Sequence, residues 1–507
     1  MESREQWGSR VGFILAAVGS AIGLGNIWRF PYTAYDNGGG AFFIPYLFAL
    51  LTAGIPIMIL ELGIGQKSRG SAPLTFAKLN RKWEWVGWMQ TFVSFVIAVY
   101  YVAIIGWAFS YAYFSINQAW GADLGAAEGF FYSYLGITGG QFELGGIQLG
   151  VLIPVVLAWI IIYAALAGGV KKGIELANKV FMPVLFILII IMAIRGVTLE
   201  GASTGLNYLF QPDFSRIFDY KIWVAAYGQI FFSLSICFAI MITYSSYLPK
   251  KTDIVNNGFM VALINCGFSL LAGFAIFGVL GHMAFASGMG VEDVAAGGVG
   301  LAFVIFPIAI NALPMSELFG VIFFISLVFA GLSSAISINE AVLSGFMDKF
   351  AVSRKKLVNI YCGIAFLVSL LFTTGAGLLI LDVVDHFINN FGIVFGGLVE
   401  IILIAWLFNL DSIKNHINPM SDFKVGPWWS FMLKIVTPIV LGYMAIANLW
   451  GDLTTNYGDY TTTAIVTFGW VVVVATIVLG FVMQSVSWKD QEYLSGDAFD
   501  KQSGLGG

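Results

Sequence analysis

Residues Gly19-Ser20-Ala21-Ile22-Gly23-Leu24-Gly25-Asn26-Ile27-Trp28-Arg29-Phe30-Pro31 set three glycines, an amide and a guanidinium inside one long apolar run. In hydrocarbon each unpaired backbone amide or carbonyl costs roughly several kcal/mol, so a spanning helix ordinarily stays closed. Gly19, Gly23 and Gly25 make this one easy to unwind. Asn26 and Arg29 add two polar groups that lipid rejects. A helix broken at mid-membrane depth is tolerated where its freed carbonyls and amides meet something polar, an ion or a substrate. The chemistry on offer is binding and passage. No nucleophile–base pair or metal motif points to an enzyme.

The elements that must position these residues are membrane helices. The 507 residues are 59% hydrophobic and 11% charged, with a mean hydropathy of +0.86, which excludes a soluble enzyme. Apolar windows predict an all-α polytopic protein of about twelve spans, the first near 10–36 and the last near 461–486. The first run has no small-residue cleavage site and is not a removable signal. Lys67, Arg69, Lys78, Arg81 and Lys82, then Lys171, Lys172, Lys250, Lys251, Lys349, Arg354, Lys355 and Lys356, fall in alternate loops. Arg195, Arg216 and Lys221 fall on the other side, which puts both termini in the cytoplasm. The net charge of −4 suggests no nucleic-acid partner. Cys237, Cys266 and Cys362 lie singly within spans and read as small core residues; His282, His386 and His416 form no ligand motif. The absence of an Asn-X-Ser/Thr sequon favours a bacterial cytoplasmic membrane.

The sixth predicted span, through Gln229-Ile230-Phe231-Phe232-Ser233-Leu234-Ser235-Ile236-Cys237-Phe238-Ala239, is also polar in its middle. It stands five spans after the first and so runs the opposite way across the membrane. Corresponding interrupted helices in two inverted halves point to a mid-membrane site. The chain divides on this reading into two inverted repeats, 1–196 and 197–408, two appended spans, 409–487, and a short cytoplasmic tail, 488–507.

The first-span stretch, Asn37-Gly38-Gly39-Gly40-Ala41-Phe42, Tyr100-Tyr101, Gln229 through Ser235, and Ala330-Gly331-Leu332-Ser333-Ser334 occur together in this order. On these motifs the chain resembles the neurotransmitter:sodium symporter family, in particular bacterial amino-acid transporters with the leucine-transporter fold. The resemblance implies broken first and sixth helices in a 5+5 inverted repeat and a sodium-coupled importer working by alternating access. Its implied first sodium site uses Ala21, Asn26, Ser233 and Asn265, completed by the substrate carboxylate. The second uses the carbonyls of Gly19, Ile22 and Ala330 with the hydroxyls of Ser333 and Ser334, which otherwise read as helix-packing groups. Substrate would meet Ser20, Ala21, Gly23, Leu24, Gly25, Ile97, Tyr101, Phe232, Ser233, Ser235, Phe238, Ser334 and Ile338. Gly23 stands where amine carriers have an aspartate, so a neutral amino acid bringing its own carboxylate is expected. Cys237 and Ala239 replace glycines of the family, with added volume that would narrow the pocket or alter the unwinding.

Ser269 stands where some bacterial members hold a glutamate. With Tyr46, Gln229, Ser233 and Asn265 it matches the chloride ligands of chloride-dependent members, so a chloride ion is implied beside two sodium ions. The intramembrane acids Glu61 and Glu400 are the alternative source of negative charge. The implied outer gate is Arg29 with Asp385, just beyond the site, with a lid of Tyr101 and Phe232. The implied inner gate is Arg4 with Asp348, near Trp7 and Tyr247. Gly173 and Pro183 of the fifth span would unwind for release of the second sodium. The partners implied are the substrate and the bilayer, with no obligate protein partner. A proton-coupled transporter on the same fold, or a transport-inactive sensor, are the alternatives that remain.

Overall fold

The computed structural model describes residues 4–137, 143–212, 214–288, 290–291 and 298–494. Among them there is no strand, only helices and two isolated bridges. Ten helices are long and apolar enough to cross a membrane: Gly40–Ser68, Arg81–Phe114, Leu149–Ala167, Val170–Val197, Ile254–Ser287, Ser316–Phe350, Arg354–Thr373, Gly377–Leu407, Pro427–Thr454 and Thr462–Ser485. They correspond to the second to fifth and seventh to twelfth predicted spans. The first span is a bent pair, Arg10–Ala21 and Gly25–Asp36, at 54°. The sixth is Tyr220–Ser233 followed by Ile240–Ser246, each piece too short to cross alone. Parts of the two long loops expected outside, at 138–142 and 292–297, and the tail beyond 494 lie outside the described residues.

The two breaks are held open differently. In the first span Ile22 is extended, with φ −77° and ψ 103°. The amides freed there are taken by side chains. Gly23 N donates to Asn26 Oδ1 at 2.9 Å, and Leu24 N donates to the Tyr101 hydroxyl at 3.1 Å. The sixth span opens over Leu234–Ala239 without a single glycine. Ser235, Cys237 and Ala239 instead adopt φ of 53°, 71° and 70°, which costs an L-residue roughly 1–2 kcal/mol each. Three buried contacts hold them there: Cys237 N donates to Glu61 Oε1 (2.5 Å), Ser94 Oγ to Phe238 O (2.5 Å) and Ser235 Oγ to Ser20 O (2.8 Å). Replacing the family's glycines has therefore not closed the helix. Glu400, also buried, accepts from Gln90 Nε2 at 2.6 Å beside the same break.

Burial ranks the helices by their distance from the core. The apolar windows of the second, third and eighth spans are 72%, 78% and 78% buried, against 28% for the eleventh and twelfth. Ile153, Leu367 and Ile439 point outward from the periphery, as lipid-facing side chains do. The fifth span is helical throughout: Val170–Ile174 forms a wide π turn, and Glu175–Val197 continues through Pro183. The expected unwinding between Gly173 and Pro183 is absent from this conformation. Gly173 is needed where it stands, because a Cβ there would overlap the Ala165 carbonyl.

Candidate functional site

The two breaks face each other across a cavity of about 30 Å³, the room of one water molecule. All the expected substrate-contact residues except Leu24 line it, joined by Asn26. Leu24 lies above, in a larger cavity of about 400 Å³ that also reaches Arg29, Asp382 and Asp385. Gly25, Tyr101 and Phe232 line both cavities and so divide them. A Cβ on Gly23 would come 2.8 Å from Ser334 Oγ and 2.9 Å from Tyr101 Oη. Any side chain at this position must displace the Ser334 or Tyr101 hydroxyl.

Two clusters of oxygen and amide groups flank the small cavity. In the first, Asn26 Nδ2 lies 2.8 Å from Asn265 Oδ1, 2.8 Å from Ser269 Oγ and 3.1 Å from Ser233 Oγ, three acceptors for its two protons. Asn265 Nδ2 in turn donates to Ser233 Oγ at 2.7 Å, and with its amide turned over it reaches Ala21 O at 3.2 Å. Ala21, Asn26, Ser233 and Asn265 are thus brought together, with the Asn26 oxygen spent on Gly23 N. In the second cluster Ser334 Oγ lies 3.4, 3.1 and 3.3 Å from the carbonyl oxygens of Gly19, Ser20 and Ile22. One hydroxyl proton can serve only one of the three, so acceptors outnumber donors, as at a cation site. Ser333 Oγ, one residue earlier, donates to Ala330 O at 3.0 Å.

The expected anion ligands are less tightly gathered. Tyr46 Oη donates to Cys266 Sγ at 3.2 Å, a partner the sequence did not suggest. Gln229 Nε2 is 3.4 Å from Gly25 O, and its buried Oε1 has no partner. Ser269 bonds Asn26 and the Asn265 carbonyl.

A statistical description of the Sodium:neurotransmitter symporter family matches residues 4–125 and 119–490. The chain belongs to this family. Among its relatives is an uncharacterized sodium-dependent transporter of Methanocaldococcus jannaschii, 46% identical over 95% of this chain and 98% of the relative. The sodium-dependent dopamine transporter of Caenorhabditis elegans is 30% identical over 90% of this chain and 82% of its own. The sodium- and chloride-dependent GABA transporter 2 of Rattus norvegicus is 31% identical over 86% of this chain and 78% of its own. The protein is a multi-pass membrane transporter of this sodium-dependent family.

In this symporter the two sides of the site are unequal. Toward the large cavity, the Arg29 guanidinium lies 4.5 Å over the Phe232 ring. Asp385 Oδ1 accepts from Tyr100 Oη (2.6 Å) and Asn389 Nδ2 (2.8 Å). The described ion pairs include none between Arg29 and Asp385: both ends are engaged elsewhere and both line the larger cavity. On the other side Arg4 binds Asp348 at 2.9 and 3.1 Å, Ser246 Oγ at 2.7 and 3.0 Å and Ser344 Oγ at 3.2 Å, and lies over Tyr247. Burial works against the Arg4 charge, but Asp348, Tyr247 and Glu340 outweigh it and hold the guanidinium pKa above its usual value. Trp7 donates from its indole to Tyr244 O at 2.9 Å.

Several contributors to this closed side escaped the sequence. Tyr247 donates to Glu340 at 2.7 Å, Arg354 clasps Glu340 at 2.6 and 2.7 Å, and Glu5 accepts from Arg354 at 2.8 Å. Glu175 accepts from Gly8 N at 2.6 Å and Ser9 Oγ at 2.8 Å. The start of the expected tail folds back, with Trp488 Nε1 donating to buried Glu84 at 2.9 Å beside Lys349. Arg354 and Lys349 had counted only as loop cations in the charge pattern; an acid deep in a span, such as Glu340, was the missed signal.

Proposed function

We propose that the chain is a sodium-coupled, chloride-dependent importer of a neutral, hydrophobic amino acid. The reading rests on one observation above the others: Gly23 with Tyr101 Oη and Leu24 N at the break. The Leu24 amide, held here by the Tyr101 hydroxyl at the start of a half-helix, is a seat for a carboxylate once that hydroxyl turns from the amide to the ligand. The absence of a carboxylate at Gly23, where the hydroxyls of Ser334 and Tyr101 stand instead, argues against an amine. Apolar walls from Ile97, Phe238 and Ile338 with the hydroxyls of Ser20, Ser235 and Ser334 suit a side chain without charge.

The cluster at Ala21, Asn26, Ser233 and Asn265 is the proposed first sodium site, once Asn26 turns its oxygen inward. Gly19, Ile22, Ala330, Ser333 and Ser334 form the proposed second. Two sodium ions and one carboxylate leave a net positive charge, which is costly in a low dielectric. Glu61 and Glu400 serve the break in the sixth span, through Cys237 N and Gln90. That commitment favours chloride at Tyr46, Gln229, Ser233, Asn265 and Ser269 as the balancing charge. An open outer cavity over an ion-paired inner side supports alternating access between two inverted five-span repeats, with both termini in the cytoplasm. A net charge moved inward gains about 2.3 kcal/mol per 100 mV.

The test is uptake of individually labelled amino acids into proteoliposomes, with external sodium chloride, sodium gluconate or potassium chloride. Uptake of a neutral amino acid in sodium chloride alone is expected. Equal uptake in gluconate would remove chloride, and no sodium-dependent uptake of any amino acid would remove the substrate class.

A further inference from the structure

We propose that Asn178 of the fifth span is an additional oxygen ligand of the second sodium site, on the cytoplasmic side of the ion. The inference rests on the reading of Gly19, Ile22, Ala330, Ser333 and Ser334 as that site. Asn178 is fully buried. Its Nδ2 donates to Ile174 O at 2.9 Å, which fixes the amide orientation and turns Oδ1 away from its own helix. That oxygen has no hydrogen-bond partner. It lies against Gly19, where an added Cβ would overlap it, with Met182 Sδ on the same side. Gly19 is therefore a glycine because an amide oxygen occupies the place of its side chain.

A buried carbonyl oxygen without a donor is rare, because lone pairs stripped of water destabilise the fold. Here the orphan lies against Gly19, whose carbonyl is one of those that outnumber their donors around Ser334. A hard cation, or the water that completes its shell, satisfies all of them together. The consequence is mechanical. The first and eighth spans supply the other ligands, so Asn178 ties a third helix to the ion. That helix begins with the wide turn Val170–Ile174, whose last carbonyl Asn178 also holds. Bound sodium thereby fastens the fifth span shut, and its departure frees the segment to open.

Radioactive sodium binding to the purified protein, with lithium as competitor, tests this without knowledge of the substrate. Asn178→Leu keeps the shape and loses the oxygen; it is expected to weaken sodium binding about tenfold and to shift the lithium-to-sodium preference. Asn178→Asp keeps an oxygen and is expected to bind sodium within a few-fold of the wild type. An unchanged affinity and ion preference in Asn178→Leu, or equal loss in both variants, overturns the proposal. Hydrogen exchange on the unaltered protein is the second arm: residues 174–179 are expected to be protected in sodium relative to potassium, and no difference overturns it. A wild-type protein that binds no sodium would instead overturn the sodium site itself.

Discussion

At the scale of single residues, the site depends on what is missing from Gly23. Gly23→Ala would drive a methyl group into Ser334 Oγ and Tyr101 Oη, displacing the hydroxyl that meets Leu24 N. We expect about a tenfold loss of substrate affinity, roughly 1.4 kcal/mol, at unchanged expression, read by equilibrium binding of the transported amino acid. Unchanged affinity would place the carboxylate elsewhere. Gly23 stood out in the sequence because a backbone-freeing residue is conspicuous in an apolar run, whereas Tyr101, Ser233 and Ser334 came into view through the resemblance of their motifs, since alone they read as packing groups. The left-handed turns at Ser235, Cys237 and Ala239 were not legible. Their conformation is imposed by Glu61, Ser94 and Ser20, which stand far away in the chain, and local preference argues against it. Asn178 was invisible for the same reason, since only packing reveals an oxygen without a partner.

At the scale of elements, apolar length located the spans, while the joints between them depended on partners. The helix Leu410–Ile417, between the tenth and eleventh spans, is an example. Its His416 Nε2 lies 3.1 Å from Gln66 Oε1 at the end of the second span. Burial, then the charges of Lys67 and Lys250, hold the imidazole pKa below its usual value. The unfolded chain takes up the proton near 6.5 and the folded one only at lower pH. Stability from this joint is thus present above about pH 6.5 and lost as pH falls through the folded value. The melting temperature should drop as pH falls from about 7.5 to 5.5, and His416→Gln should flatten that drop. An identical profile in the variant would assign the acid sensitivity to other groups. Nothing in the sequence hints at this role, because a lone histidine carries no pattern. Likewise, Gly173 and Pro183 flagged a weak place in the fifth span, yet the turn that occupies it here is a product of close packing against Ala165.

At the scale of the whole molecule, a large cavity lies beyond Tyr101 and Phe232 while the Arg4 side is bridged by ion pairs, an asymmetry that no stretch of sequence encodes. The side of the site that faces the chain's start is held by Arg4, Asp348, Ser246, Glu340 and Arg354 acting as one network, so cutting one link should loosen all of it. Asp348→Asn is expected to speed labelling of a cysteine introduced at buried Ala16, in a background without native cysteines, by several-fold. Equal labelling rates would locate the barrier elsewhere. The division between the two cavities is by contrast a single layer made of Gly25, Tyr101 and Phe232. Side-chain rotation of the kind that opens such a layer takes picoseconds to nanoseconds when exposed, whereas collective helix motion takes microseconds to milliseconds. Loading from outside should then equilibrate many times for each crossing. The external concentration that half-saturates uptake becomes, under that disparity, a dissociation constant, and a change to the inner network will alter the maximal velocity while leaving that concentration nearly untouched.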